Sequence, residues 1–324
     1  MTEEREPLLK VRDLTVTFGF GHHSVSADAG ISFDIYEGET LGLVGESGCG
    51  KSTTGRALMK IVTPSNGVIE LDGVDITRLK GRALRNIRTR MQMIFQDPIS
   101  SLNPRRRVKD IVAEPLDCWK SVRGPERIAL VDELLAKVGI DPSVYGNRYA
   151  RQFSGGQCQR ISIARSLAMR PKMLICDEMV SALDVSVQAQ ILNLLEDLKG
   201  EYGLTLLFIA HDLAVVKNVS DRVAVMYLGR ICEIGPSDEL YDSPAHPYTD
   251  FLLGAALEAD PDSPAHGKVL EGEPPSPMNP PSGCRFRTRC PLAQDRCTNE
   301  VPEPREIAPG HQVACHFPLT PRRK

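Results

Sequence analysis

Residues 8–18 (LLKVRDLTVTF) alternate apolar and polar side chains, which predicts a strand, and Ile31 to Ile35 repeats the pattern as its candidate partner. Leu41 to Val44 is a short apolar run ending in a glycine-rich turn, and helix-compatible sequence follows from Lys51 to Ile61. Gly67 to Asp75 reads as strand and turn, and Met91 to Phe95 as a buried strand closing on Gln96. Beyond Val108 the period lengthens: Ile128, Val131, Leu134, Leu135 and Val138 recur at helical spacing as far as Gly139. Met173 to Cys176 is a buried strand ending in two acids. Val187, Ile191, Leu194, Leu195 and Leu198 then mark one face of an amphipathic helix. Leu204 to Ala210 returns to a strand, and Arg222 to Ile234 reads as a hairpin turning near Gly229. Strands alternating with helices predict an α/β sheet, with a helical insertion over 108–165.

The pattern changes near residue 240. Of 24 prolines, 15 lie at or after Pro244, and Cys284, Cys290, Cys297 and Cys315 crowd into the last 41 of 324 residues. The other five cysteines are scattered through segments that read as core. A length of 324 residues fits two domains or one large domain with an appendage. Hydrophobic residues at 41% and charged residues at 25% fit a globular chain. A formal net charge of -3 argues against bulk electrostatic capture of nucleic acid. The longest apolar stretches fall far short of the roughly 20 residues that span a bilayer. Residues 1–7 are polar and acidic with no apolar core, so no secretory signal is expected, and a cytosolic chain with a peripheral membrane role is. In that compartment a terminal cysteine cluster suggests metal before disulfides.

Gly45-Glu-Ser47-Gly48-Cys49-Gly50-Lys51-Ser52 matches G-x-x-x-x-G-K-[ST] in full, between a predicted strand and a predicted helix. Glycines let backbone N–H groups wrap phosphate, and the following helix N-terminus, beginning with Lys51, Ser52 and Thr53, adds partial positive charge. Lys51 suits the β- and γ-phosphates, and the Ser52 hydroxyl suits Mg²⁺. Met173 to Cys176 delivers Asp177 to the metal's outer shell, while Glu178 can orient and deprotonate an attacking water. Phe153-Ser154-Gly155-Gly156-Gln157 taken alone is a turn with an N-cap before the helical run Gln159 to Met169. Placed between the P-loop and the two acids, it resembles the signature motif of the ATP-binding cassette (ABC) ATPases.

What that resemblance implies follows residue by residue. Gln96 is the Q-loop glutamine and a further Mg²⁺ ligand, and Ser181-Ala-Leu-Asp184 is the D-loop. His211 is the switch histidine, and Phe18 stacks on adenine, with Phe20 second. Ser154, Gly155, Gly156 and Gln157 contact the nucleotide held by an opposing cassette. Two departures stand out: Met179 occupies the usual proline position and Cys158 the usual basic one. Asp97 to Pro104 and Tyr241 to Tyr248 are similar to the oligopeptide/dipeptide importer subgroup, whose members carry a Pro-rich, cysteine-bearing C-terminal extension. The implied fold is a P-loop NTPase of the ABC type with an antiparallel β subdomain and a helical subdomain (about 97–165). Its domain spans 1–240 and the extension 241–324. The implied partners are a second ATPase subunit, two membrane permeases and an extracytoplasmic solute-binding protein, at the cytoplasmic face of the membrane, with no nucleic acid. Nickel is the alternative solute.

The spacing Cys284-x₅-Cys290-x₆-Cys297-x₁₇-Cys315 matches neither a paired zinc ribbon nor the common ferredoxin patterns. Four thiolates suit a 4Fe-4S cluster or zinc, free or oxidised thiols are the third reading, and importers of this subgroup are associated with a 4Fe-4S cluster. His311 and His316 could replace one cysteine, or else face solvent. The segment is poor in apolar residues and is expected to need such a staple to fold, in a structural or redox-sensing role. Two other functions were weighed: a DNA-associated ABC ATPase, and a P-loop kinase. The spacing of about a hundred residues between Ser52 and Ser154, without heptads, argues against the first. The signature motif argues against the second.

Overall fold

The computed structural model describes residues 6–19, 24–257 and 274–320, which fall into two compact units. The first comprises residues 1–78 and 208–324, the second 79–207.

In the first unit, β1 (Pro7–Phe18) pairs antiparallel with β2 (Val25–Tyr36), Leu9 opposite Ile35 and Val11 opposite Phe33. The partner of β1 therefore begins earlier than Ile31. Buried positions run Leu9, Val11, then Leu14, Val16, a change of phase. A bulge absorbs it: Asp13 has φ 50° and the register shifts between Val11 and Leu14. Next come β3 (Thr40–Val44), buried throughout, and α1 (Lys51–Leu58). The helix stops short of Ile61 because Lys60 is left-handed, at φ 56°. β4 (Asn66–Leu71) and β5 (Val74–Asp75) complete a four-stranded sheet in the order β2-β1-β4-β5.

The second unit opens with α2 (Gly81–Ile87) and β6 (Met91–Ile94). The helical block is two helices, α3 (Val108–Trp119) and α4 (Gly124–Lys137), broken where Lys120 takes φ 53°. Then follow α5 (Pro142–Tyr145), α6 (Gly155–Leu167), β7 (Met173–Asp177) and α7 (Val185–Tyr202). The Arg160 and Arg165 guanidiniums stitch α6 to the carbonyls of Val138 (2.9 Å) and Ser101 (2.7 Å). β6 and β7 are parallel, Met91 opposite Met173 and Ile94 opposite Cys176. The division between units falls inside β8 (Thr205–Ile209).

The rest belongs to the first unit. α8 (Leu213–Val219) precedes the hairpin of β9 (Arg222–Tyr227) and β10 (Arg230–Pro236). Leu228 and Gly229 both take positive φ, which matches the right-handed twist of a tight hairpin. α9 (Ser237–Asp242), α10 (Pro247–Leu257) and α11 (Asp295–Asn299) follow, then β11 (Arg305–Ala308) and β12 (His311–Val313). Within this unit the larger sheet runs β11-β12-β10-β9-β3, with β3 parallel to β9 and β12 antiparallel to β10. The extension thus continues the sheet. It also buries Phe286 (1% exposed) against Tyr227 and Tyr248, with ring centroids 5.3 Å apart in each pair. Pairing of β12 with β10 and the Phe286 cluster tie the extension to the rest of this unit. No helix of the described residues is long and apolar enough to cross a membrane.

Candidate functional site

The P-loop leaves β3 at Val44 and enters α1 at Lys51. Gly50 takes φ 114°, and a Cβ there would stand 2.3 Å from the Ala27 carbonyl oxygen, so only glycine fits. Lys51 is 4% exposed and its Nζ donates to the carbonyls of Gly45 (2.7 Å) and Glu46 (3.0 Å). The Cys49 N–H closes the turn on the Glu46 carbonyl (3.3 Å), and the Gly229 N–H holds the Cys49 carbonyl (2.8 Å). The Cys49 thiol is buried, which pushes its pKa up, and its Sγ accepts from Lys51 Nζ at 3.9 Å. Ser47 and Gly48 are exposed at the tip, while Ser52 and Thr53 are half-buried in the first turn of α1. That turn holds no acid, so the helix N-terminus keeps its positive field. Thr54 Oγ1, one position on, donates to Asp28 Oδ1 of β2 at 2.9 Å.

His211 follows β8 and is exposed. The Ala210 N–H donates to the Leu43 carbonyl (3.3 Å), which sets His211 near the end of β3 that carries the P-loop. Asp212 caps α8 by accepting from the Ala214 and Val215 N–H groups (2.8 and 3.3 Å). Phe18, at the end of β1, is 45% exposed. Phe20 lies outside the described residues.

In the second unit, parallel β6 and β7 bring Gln96 and Glu178 together, and Gln96 Nε2 donates to Glu178 Oε2 at 2.8 Å. Asp177 is the buried last residue of β7. Glu178 takes φ 47°, a left-handed conformation that costs roughly 1–3 kcal/mol for a residue with a side chain. The Ser181 N–H (3.2 Å) and hydroxyl (2.8 Å) both bond the Glu178 carbonyl and hold it there. Met179 is buried beside it. Ser154 and Gln157 form a reciprocal capping box at the start of α6, at 3.0 and 3.3 Å. A Cβ on Gly156 would meet Val187 Cγ1 at 2.5 Å, whereas one on Gly155 meets nothing closer than Leu183 at 3.6 Å. Cys158 is buried with its Sγ 3.6 Å from the Ala150 carbonyl. A basic side chain in that orientation would be buried too.

The extension reaches the P-loop, a connection that spacing along the chain gives no sign of. Arg289 Nη1 lies 2.9 and 3.1 Å from the two carboxylate oxygens of Glu46. The Glu46 N–H donates to the Tyr248 hydroxyl at 2.9 Å. Glu233 of β10 accepts from the Ala245 and His246 N–H groups (2.7 and 2.8 Å) and lies 2.7 Å from His311 Nε2. His311 is therefore neither solvent-facing nor a substitute for a cysteine. Burial pushes the His246 pKa down to about 4, with Glu233 opposing, so the ring is neutral and its Nδ1 accepts from the Tyr248 N–H (3.0 Å).

Cys284, Cys290, Cys297 and Cys315 line one cavity together with Phe286, His316 and Phe317, and all four are free thiols. The metal site expected of them is not formed as a single-ion coordination set. Among the described residues, no group of three or more His, Cys, Asp or Glu side chains is arranged to hold one metal ion. Burial, and the proximity of Cys284, Cys290 and Cys297, push the Cys315 thiol up to about 12. Burial raises the Cys284 and Cys290 thiols as well, opposed in part by the backbone N–H groups of Phe286 and Arg287 at Cys284 and of Leu292 at Cys290.

Comparison with known proteins agrees in both halves of the chain. A family model described as ABC transporter matches residues 29–181, and one described as oligopeptide/dipeptide transporter, C-terminal region, matches 232–297. A putative peptide import ATP-binding protein of Brucella ovis is 50% identical over 97% of this chain and 98% of its own length. The oligopeptide transport ATP-binding protein AppF of Bacillus subtilis is 48% identical with the same coverage. Among solved structures, the dimeric post-hydrolysis state of the ATP-binding cassette MJ0796 bound to ADP and Pi has a TM-score of 0.64 at 28% identity. It covers 71% of this chain and 98% of that one. The structure of cbiO1 from Clostridium perfringens, part of the ABC transporter complex cbiONQ, has a TM-score of 0.66 at 28% identity, over 79% and 96%.

Proposed function

Because the chain belongs to the ABC transporter ATPases, in their oligopeptide/dipeptide import branch, we propose that its P-loop and Ser154 signature serve two different nucleotides in a pair of cassettes. The chain is the ATP-hydrolysing subunit that powers peptide import. In our reading, Lys51 and the loop residues Gly45, Ser47, Gly48, Cys49, Gly50, Ser52 and Thr53 hold the phosphates of one ATP, and Phe18 packs on its adenine. Ser52, Gln96 and Asp177 would hold Mg²⁺, which neutralises charge developing between the β- and γ-phosphates. Glu178 takes the proton of the attacking water and His211 steadies the γ-phosphate. The observation that carries the hydrolytic assignment is the 2.8 Å Gln96–Glu178 bond, which ties the residue sensing the metal to the residue activating water.

Ser154, Gly155, Gly156 and Gln157 close on the nucleotide of a second ATPase subunit. Gly155 supports this: nothing in its own chain crowds it, so its lack of a side chain serves an approach from outside. ATP draws the pair together and hydrolysis lets it part, and two permeases convert this into alternating access. An extracytoplasmic binding protein delivers the peptide, and the ATPase sits peripherally on the cytoplasmic face.

The four-cysteine cavity is read as a 4Fe-4S site. Around one tetrahedral zinc the sulfurs would stand only about 3.8 Å apart, at Zn–S distances of about 2.3 Å. In a cubane each thiolate binds a different iron and the sulfurs stand wider. The reading rests on the four cysteines lining one cavity.

Replacing Glu178 tests the hydrolytic core. Glu178→Gln keeps ATP affinity and lowers turnover about 10²–10⁴-fold. ATPase rate and retained nucleotide are measured together on the assembled transporter, and turnover at the wild-type rate would remove Glu178 from its role.

A further inference from the structure

Glu46 is the second residue of the P-loop, and its three polar groups are each engaged. Its carbonyl accepts from Lys51 Nζ (3.0 Å) and from the Cys49 N–H (3.3 Å), so its position sets where the phosphate-binding lysine is anchored. Its N–H is bound by the Tyr248 hydroxyl (2.9 Å) and its carboxylate by Arg289 (2.9 and 3.1 Å). Both partners belong to the C-terminal extension, up to 243 residues away in sequence.

Those partners are built in. Tyr248 is fully buried, and the Arg289 side chain is 7% exposed against 26% for Glu46. Arg289 Nη1 also lies 3.5 Å from the Tyr227 hydroxyl. Tyr227 and Tyr248 pack edge-on with centroids 4.6 Å apart, and Phe286 completes the cluster. A half-buried carboxylate in a phosphate-binding loop opposes the charge that loop must bind. A nearly buried guanidinium on that carboxylate both cancels the opposition and fixes the loop.

We propose that Arg289 and Tyr248 of the C-terminal extension are positioning residues of the P-loop, holding Glu46 in place and neutralising it so that the loop binds ATP. The proposal rests on reading the P-loop as the nucleotide site. It makes the extension part of the nucleotide machinery, where the sequence suggested a separate structural appendage.

The experiment is equilibrium binding of MgATP to the full-length subunit, with the unfolding midpoint recorded for each variant. Arg289→Ala is expected to weaken ATP binding about tenfold, because it leaves a half-buried carboxylate unpaired beside the phosphates. Arg289→Lys should keep most of the affinity. Adding Glu46→Gln to Arg289→Ala should recover most of the loss, which repair of a merely loosened fold would not do. Wild-type affinity in folded Arg289→Ala, or no recovery in the double variant, overturns the proposal. If Arg289→Ala does not fold, Tyr248→Phe decides: it keeps the ring and removes the acceptor of the Glu46 N–H, and unchanged ATP affinity overturns the proposal. Lys51→Ala separates the two readings. If it binds ATP as the wild type does, the nucleotide site itself is misassigned and the strut falls with it. If it loses ATP while Arg289→Ala does not, the strut alone falls.

Discussion

Asp28 lies under the P-loop with no exposed surface, one carboxylate oxygen bonded by Thr54 and the other without a hydrogen-bond partner. Burial raises its pKa from 3.8 to about 7, and the Thr54 bond only partly opposes this. Between those values the folded chain holds a proton that the unfolded chain has released. Stability therefore falls as pH rises from about 4 to about 7, and stays low above. Asp28→Asn removes the titration while leaving an oxygen for Thr54. It should raise the unfolding midpoint more at pH 8 than at pH 5, and an equal gain at both would contradict the assignment. Residues of this kind are not legible in a sequence. Gly45 to Ser52 is legible because phosphate chemistry demands contiguous residue types along one loop. Asp28, Tyr248 and Arg289 act on the same loop from elsewhere in the chain, and no spacing rule connects them to it.

At the level of elements, legibility followed burial. β7 and β8 are apolar but for Asp177 and Thr205 at their ends, β6 is interrupted only by Gln92, and the sequence places all three within a residue or so. β12 (His311–Val313) is three residues long, and β11 exposes three of its four, so neither carries a period. α2 escaped for a related reason: only Ile87 of its seven residues is buried. The extension is ordered by pairing with β10 and by the Phe286 cluster, means that composition could not reveal. Burial, and after it the neighbouring cysteines, raise the Cys315 thiol to about 12, so a metal taken up there would have to displace thiol protons, and the proposed cluster is tested by what the protein carries. Anaerobically purified transporter should carry iron and acid-labile sulfide in stoichiometric amounts, and Cys290→Ser should lose both. Stoichiometric zinc without iron would reject the cluster, and absence of any metal would reject the site.

For the whole molecule, the chain holds every residue type that ATP hydrolysis needs, and the proposed reading gives its signature motif to the nucleotide of a second cassette. Ser154 and Gln157 cap each other at an exposed helix start, and Gly155 has room for a side chain that it lacks. As local structure the motif is an N-cap with a capping box, and its assigned purpose comes from the resemblance alone. Coupling of two cassettes is the central claim, and its most direct test is the ATP affinity of the isolated full-length subunit carrying Ser154→Arg, beside wild type and Lys51→Ala. The account predicts wild-type affinity for Ser154→Arg, with ATP-driven pairing and transport-coupled turnover lost, because the cation enters a cleft meant for the partner's γ-phosphate. An ATP affinity as poor as that of Lys51→Ala would mean that the signature serves its own nucleotide, and would contradict the shared site.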